Sequence, residues 1–248
     1  MKLILLRHGE SQWNLENRFT GWKDVPLTSL GIKEAEFSGK KILHEQISIH
    51  SLYTSFLKRA SHTAEIVSSI IGFNKENIQY NWRLNERHYG ALEGLNKSET
   101  ALKYGEEQVH IWRRSYDIPP PSLSLDDERY LRDKLKYKSV KESIPKSESL
   151  KDVIKRIEPF WNDFSENFKI NRCNHMIVAH SNSLRAIIKI LENLSDREIS
   201  SVNLPTGVPL IYDLDEHLNV LSKKFLIDEV QLKNKINIIK NQGKINES

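Results

Sequence analysis

A chain of 248 residues that is 38% hydrophobic is long enough for one large α/β domain or two small ones, and can bury a substantial core. Its formal charge of +4 is too small to indicate a nucleic-acid or anionic-membrane partner, and the lysine-rich runs 134–146 and 223–244 also carry acidic residues, as solvated surfaces do. The single cysteine, Cys173, excludes an intrachain disulfide and a cysteine-based zinc site, and no apolar run is long enough for a signal sequence or a membrane span, so the chain reads as cytoplasmic.

Three short apolar or β-prone runs, 2–6, 51–55 and 175–179, are each followed by a polar turn and a helical pattern. Such strand-turn-helix units build a parallel sheet. After the first, Thr28 caps a helix that turns Ile32, Ala35 and Ile42 toward the core. Helices over 57–71 and 183–191 follow the second and third. The stretch 91–146 mixes short helical patterns with Pro119-Pro120-Pro121 and a charged run, and reads as an insertion over the sheet. Apolar residues from Leu150 to Phe168 recur at three- and four-residue spacing, which predicts a long amphipathic helix kinked at Pro159. Ser195 and Glu198 form a capping box for another helix. Strands over 208–214 and 220–226, and a last helix over 228–242 stopped by Gly243, complete the chain. The expected architecture is an α/β three-layer sandwich: a mostly parallel central sheet flanked by helices, with the insertion 91–146 and a C-terminal tail, 227–248, over the active site. No internal repeat or linker divides it, so 1–248 reads as one domain.

Ligands of open parallel sheets bind at the carboxyl ends of the strands. There the first strand delivers Arg7 and His8, the second leads to Lys58-Arg59, and the third delivers His180. Each alone has an ordinary structural explanation. Packing, however, gives no reason to gather two arginines and two histidines on one rim, and their repulsion calls for an anion such as phosphate.

With Arg7-His8-Gly9 and Ala179-His180, the chain resembles the histidine phosphatase superfamily, whose Arg-His-Gly signature holds a phosphorylated histidine. More specific are Arg7-His8-Gly9-Glu10-Ser11-Gln12-Trp13-Asn14, Phe19-Thr20-Gly21-Trp22, Leu84-Asn85-Glu86-Arg87-His88-Tyr89-Gly90, Leu95-Asn96-Lys97-Ser98-Glu99, Trp112-Arg113-Arg114-Ser115-Tyr116 and Leu204-Pro205-Thr206-Gly207-Val208-Pro209-Leu210. These are similar to the cofactor-dependent phosphoglycerate mutases, in order from Lys2 to about Lys244.

The resemblance implies interconversion of 3-phosphoglycerate and 2-phosphoglycerate, a glycolytic and gluconeogenic step, by an enzyme primed with 2,3-bisphosphoglycerate and without a metal. It implies His8 as the nucleophile, with Arg7, Arg59, His180 and the backbone near Asn182 stabilising the phosphoryl group. Glu86 then handles the proton of the substrate hydroxyl. Lys97, Arg113, Arg114 and Tyr89 hold the far end of the substrate, and Asn14, Thr20 and Gly21 add neutral hydrogen bonds. Assembly as a homodimer or homotetramer is implied as well. Two positions depart from the family pattern. Ser181 stands where Gly is usual and is expected to be strained if its φ is positive, though its hydroxyl can donate to phosphate. Ile227 replaces a Gly common before the tail. The rival readings are a phosphatase of the same superfamily, which admits water to the phosphohistidine, and a basic, nucleic-acid-binding scaffold without turnover.

Overall fold

The computed structural model describes residues 1–242. β1 (Lys2–Arg7) leads through the short helix α1 (Gln12–Leu15) to α2 (Ser29–His44); β2 (Ser51–Thr54) leads to α3 (Lys58–Ile71) and the two-residue strand β3 (Gln79–Tyr80). Next come α4 (Lys97–Tyr104), α5 (Glu106–Arg114) and α6 (Glu128–Lys136). The long α7 (Leu150–Asn171) precedes β4 (His175–Ala179), α8 (Ser181–Glu192) and α9 (Asp196–Ser201). β5 (Pro209–Leu214), β6 (Val220–Phe225) and α10 (Glu229–Asn241) follow. The anticipated stop at Gly243 lies outside the described residues, as does the remainder of the tail.

The six strands form one sheet in the order β3-β2-β4-β1-β5-β6, parallel from β3 to β1 and antiparallel from β1 to β6. Alternation along β1 divides the core into two layers. Leu3 and Leu5 pack with Ile177 and Tyr212 against Val153, Ile157 and Phe164 of α7 and Leu184 and Ile187 of α8. Ile4 and Leu6 pack with Met176 and Val178 against Ile42 of α2 and Ala64 and Val67 of α3.

Helix starts follow the local chemistry. The Thr28 hydroxyl accepts from Gly31 N–H, and Ser195 accepts from Glu198 N–H in a reciprocal capping box. Ser149 and Asp152 make a second such box at the start of α7, which continues through Pro159 instead of ending there. The insertion is tied to the segment after β1 through two small cores, Phe19 with Leu92, Ala101 and Val109, and Trp22 with Tyr137 and Ile144. It therefore sits over the carboxyl ends of the parallel strands.

His175, the first residue of β4, is fully buried among the rings of Tyr53, Phe164 and Phe168, and neither ring nitrogen has a partner among the described residues. Burial, and next the neighbouring His50, lowers its pKa to about 4. Unfolding returns it toward the ordinary value of about 6.5, so the unfolded chain takes up this proton first and stability is lost as pH falls from 6.5 toward 4. His175→Phe removes both the unsatisfied nitrogens and the protonation. It is expected to raise stability at pH 7 by about 1–2 kcal/mol and to flatten the pH dependence through this window, read from urea unfolding. An unchanged slope would contradict this account.

Candidate active site

β4 lies between β1 and β2, so the residues following all three strands meet at one rim. His8 donates its backbone N–H to the Ala179 carbonyl at 3.0 Å, extending the ladder by one residue. Its ring Nδ1 lies 2.7 Å from the Gly9 carbonyl oxygen. An acceptor there requires Nδ1 to carry the proton and leaves the Nε2 lone pair free. Gly9 is dictated by packing, because a Cβ would stand 2.1 Å from the Gly31 carbonyl oxygen at the start of α2.

His180, the N-cap of α8, lies edge-on to His8 with ring centroids 4.9 Å apart. Its Nε2 is 2.7 Å from Ser55 Oγ, just beyond β2. Ser55 Oγ also accepts from Leu57 N–H, and the acceptor available to its own proton among the described residues is His180 Nε2, which favours the tautomer with the ring proton on Nδ1. That Nδ1 is buried and has no partner among the described residues.

Arg7 and Arg59 flank the two rings. Arg7 donates through Nη1 to the Leu204 carbonyl at 2.8 Å, while its buried Nε has no partner. Arg59, in the first turn of α3, donates to the carbonyls of Lys23 and Gly21 at 3.0 and 2.8 Å. Burial lowers the pKa of Arg7 and takes that of Arg59 down to about 10. Burial first, then Arg59 and Arg7, holds His8 well below the usual histidine range; burial, Arg59 and His8 do the same for His180. Both rings are neutral bases at neutral pH.

A cleft of about 610 Å³ opens in front of these groups. Besides Arg7, His8 and Arg59, it is lined by Asn14, Thr20, Glu86, Tyr89, Lys97, Arg113, Arg114, Ser181 and Asn182, all singled out in the sequence. The far wall is the second cationic cluster: Lys97 from the start of α4, and Arg113 and Arg114 from the end of α5. Burial, followed by Arg113, Arg7 and Arg114, holds Lys97 well below the ordinary lysine value. Glu86 lines the same cleft, its Oε1 accepting from Asn182 N and Nδ2 at 3.2 and 3.0 Å. In all, six arginines and one lysine line the cleft against a single carboxylate, so its ligand must be an anion of several charges.

Several positions differ from expectation. Gly21 does not line the cleft; its carbonyl holds Arg59, and its positive φ of 55° turns the chain there. His180 is completely buried, its ring edge-on to His8, and is not among the residues that line the cleft wall. The backbone N–H of Asn182, expected to face phosphate, is engaged by Glu86. Ser181 is unstrained, since it is the first residue of α8 and is absent from the positive-φ residues. Sequence reasoning missed Arg18, Phe19 and Arg185 as lining residues. Phe19 stood in the quoted Phe19-Thr20-Gly21-Trp22 motif without a role assigned to it, and nothing in the sequence marked Arg18 or set Arg185 apart from other basic residues of its helix. From the tail, Ile239 and Gln242 close the remaining side. The Gln242 carbonyl accepts from Arg113 and its Oε1 accepts from Lys97 Nζ, so the tail meets the second cluster where an anion would sit.

Comparison with known proteins places this geometry. Residues 3–223 match the family model of the histidine phosphatase superfamily (branch 1). The chain is 49% identical over 247 residues to a 2,3-bisphosphoglycerate-dependent phosphoglycerate mutase of Treponema denticola, covering 98% of this chain and 99% of that protein. It is 47% identical over 243 residues to the enzyme so named in Hydrogenobaculum, covering 98% of each. Among solved structures, a mycobacterial glucosyl-3-phosphoglycerate phosphatase in complex with vanadate shares the fold, with a TM-score of 0.69 at 18% identity over 92% of this chain and 98% of that one.

An anion reaching the second cluster should offset the arginines that lower Lys97 and raise its pKa. Binding of 3-phosphonopropionate, which carries a phosphonate at one end and a carboxylate at the other, is expected to take up protons increasingly as the pH is raised above neutral. Calorimetry in two buffers of different ionisation enthalpy measures this, with less uptake expected for Lys97→Met. Equal uptake in the variant would show that the lysine is not the suppressed group.

Proposed function

The chain belongs to the histidine phosphatase superfamily, among its 2,3-bisphosphoglycerate-dependent phosphoglycerate mutases, and we propose that it interconverts 3-phosphoglycerate and 2-phosphoglycerate through a phosphorylated His8. The observation that carries this reading is that Arg7 and Arg59 beside His8, Lys97, Arg113 and Arg114 from α4 and α5, and the one carboxylate Glu86 all line one cleft. A ligand with a phosphate at one end and a carboxylate at the other fits the two groups of cations, and a simple monoester phosphatase has no need of the second cluster.

In this mechanism the 2-hydroxyl of 3-phosphoglycerate attacks phosphohistidine in line, the new P–O bond forming as the P–N bond to His8 Nε2 breaks; the bound 2,3-bisphosphoglycerate turns over, and the freed Nε2 attacks its 3-phosphoryl group, re-forming the P–N bond as the P–O bond to 2-phosphoglycerate breaks. Glu86 takes the proton of the attacking hydroxyl as base and returns it as acid to the departing alkoxide. Arg7, Arg59 and the Nδ1–H of His180 stabilise charge on the equatorial oxygens. Two of the orphaned donors in the site, Arg7 Nε and His180 Nδ1, are the groups a phosphoryl oxygen would satisfy. Lys97, Arg113 and Arg114 hold the carboxylate end, with Tyr89, Asn14, Thr20 and the Ser181 hydroxyl as neutral partners. Gly21 contributes through its carbonyl, by holding Arg59.

Priming fits the same residues: 2,3-bisphosphoglycerate would lie with one phosphate at His8 and the other acidic groups at the second cluster. The reaction is proposed to need no metal, because the chain's own cations supply the positive charge. Residues 1–248 are proposed to act as one domain in the cytoplasm; no helix among the described residues is long and apolar enough to cross a membrane. A homodimer or homotetramer is proposed, with the exposed, stacked rings of Phe56 and of Tyr80 in β3 as apolar surface that a second copy would cover.

The test is conversion of 3-phosphoglycerate in the presence of a chelator, with and without catalytic 2,3-bisphosphoglycerate, monitoring 2-phosphoglycerate and free phosphate separately. Isomerisation is expected to be stimulated by the bisphosphate and to fall by more than about 10³-fold in His8→Ala. Release of phosphate without isomerisation would make the enzyme a phosphatase.

A further inference from the structure

Arg185 is buried in α8, its exposure is only 1%, and it lines the cleft, yet it faces no carboxylate. Its guanidinium is engaged by neutral acceptors. Nε and Nη2 both donate to the Ile199 carbonyl of α9, at 3.3 and 2.7 Å, and Nη1 donates to Asn182 Oδ1 at 3.0 Å. The second of these contacts has a chemical consequence. An amide side chain can turn over and exchange its oxygen and nitrogen, and only its neighbours decide between the two arrangements. A guanidinium can only donate, so it requires Oδ1 on its own side and turns Nδ2 toward Glu86.

The carboxyl group of Glu86 is thereby made unsymmetrical. Oε1 accepts three N–H groups, from Arg87 N at 2.8 Å, Asn182 N at 3.2 Å and Asn182 Nδ2 at 3.0 Å. Oε2 has no hydrogen-bond partner among the described residues. The oxygen that carries the mobile proton is therefore Oε2, and Oε1 is the fixed end. With the Asn182 amide reversed, Oδ1 would meet Oε1, two acceptors would repel, and the carboxyl group would rotate.

We propose that Arg185 is a positioning residue for proton transfer, holding Glu86 in register through the side chain of Asn182. The inference rests on the functional reading above, in which Glu86 protonates the departing alkoxide. Arg185 touches no reacting atom. It acts from behind Asn182, anchored by the fork it makes on the Ile199 carbonyl.

This role separates two reactions of the same nucleophile. Transfer from a phosphoglycerate expels an alkoxide that needs a proton, whereas transfer from p-nitrophenyl phosphate expels a phenolate that leaves without one. In Arg185→Gln, isomerisation of 3-phosphoglycerate is expected to lose about 10²-fold in kcat, the scale of a misdirected acid–base group. Phosphorylation of His8 by p-nitrophenyl phosphate, followed by mass spectrometry, is expected to fall by at most about tenfold, the part owed to the lost charge. Arg185→Lys keeps the charge but cannot fork between Ile199 and Asn182, and the same split is expected. It also serves if the glutamine variant does not fold by circular dichroism. Parallel losses in both reactions, a loss confined to KM, or full activity in Arg185→Lys would overturn the proposal. A wild-type enzyme that phosphorylates His8 but does not isomerise would overturn the functional reading, and this proposal with it; an active wild type with parallel losses overturns this proposal alone.

Discussion

The constraint on which the molecule depends is a concentration of positive charge in a cleft with one acid. Arg7, Arg59, Lys97, Arg113, Arg114 and Arg185 line it, and Arg87 stands fully buried behind them. Two like charges about 4 Å apart repel by about 4 kcal/mol at an effective dielectric of 20. Glu86, Glu34 and Asp24 offset part of this repulsion, but none of them is hydrogen-bonded to the side chains of these arginines among the described residues. Backbone carbonyls do much of the holding: Leu204 for Arg7, Lys23 and Gly21 for Arg59, Arg113 for Arg87, and Ile199 for Arg185. A carbonyl oxygen satisfies an N–H without neutralising the charge, so the field survives for the ligand.

That way of holding cations explains why the site needs so much of the chain. The sheet order brings the ends of β1, β2 and β4 together and fixes His8, Ser55 and His180 by main-chain register. It cannot also furnish the second cluster, which must stand a ligand's length away. The insertion does so, because Phe19 and Trp22, in the segment after β1, are the cores on which its helices fold. Rigidity at Glu86 comes from elsewhere again. Its carbonyl accepts from Trp22 Nε1 and Arg156, and Arg156 is paired with the buried Glu148, which also accepts from His88 N–H. The loop bearing the acid is thus clamped by α7 and the residue before its cap on one side and by Trp22, from the segment after β1, on the other.

How much of this was legible in the chain depends on which contacts determine each part. The strands and the helices that follow them were readable because period and capping are local: Thr28 and Ser195 cap where their sequence says they should. The rim of Arg7, His8, Arg59 and His180 was readable because topology alone assembles it. Gly21 reads as a neutral hydrogen-bonding partner of the substrate, and a contact that the sequence could not show is that its carbonyl, at a turn with positive φ, holds Arg59. Arg185 was invisible for a different reason. In sequence it is one more basic residue of an amphipathic helix, and its effect exists only where α9 offers it a carbonyl and Asn182 turns to meet it. Nor could a linear reading tell that the tail's Gln242 meets Lys97 and Arg113.

Charge balance ties the cleft to its reaction. A phosphorylated histidine brings about two negative charges. A phosphate ester brings about two more, and its carboxylate a third. Together with Glu86 these nearly offset the cations that line the cleft, but only when phosphoenzyme and substrate are both present. The cations act on one another: after burial, Arg113, Arg7 and Arg114 lower the pKa of Lys97, and Gln242 covers part of the second cluster with a carbonyl and an amide oxygen. A neutral amide can moderate that field but cannot match it, so an acid substrate displaces it at little cost. Water gains nothing comparable by entering, because it brings no charge. The same uncompensated field therefore favours transfer to a charged acceptor over hydrolysis, and the separation of the two clusters determines which acceptor that is.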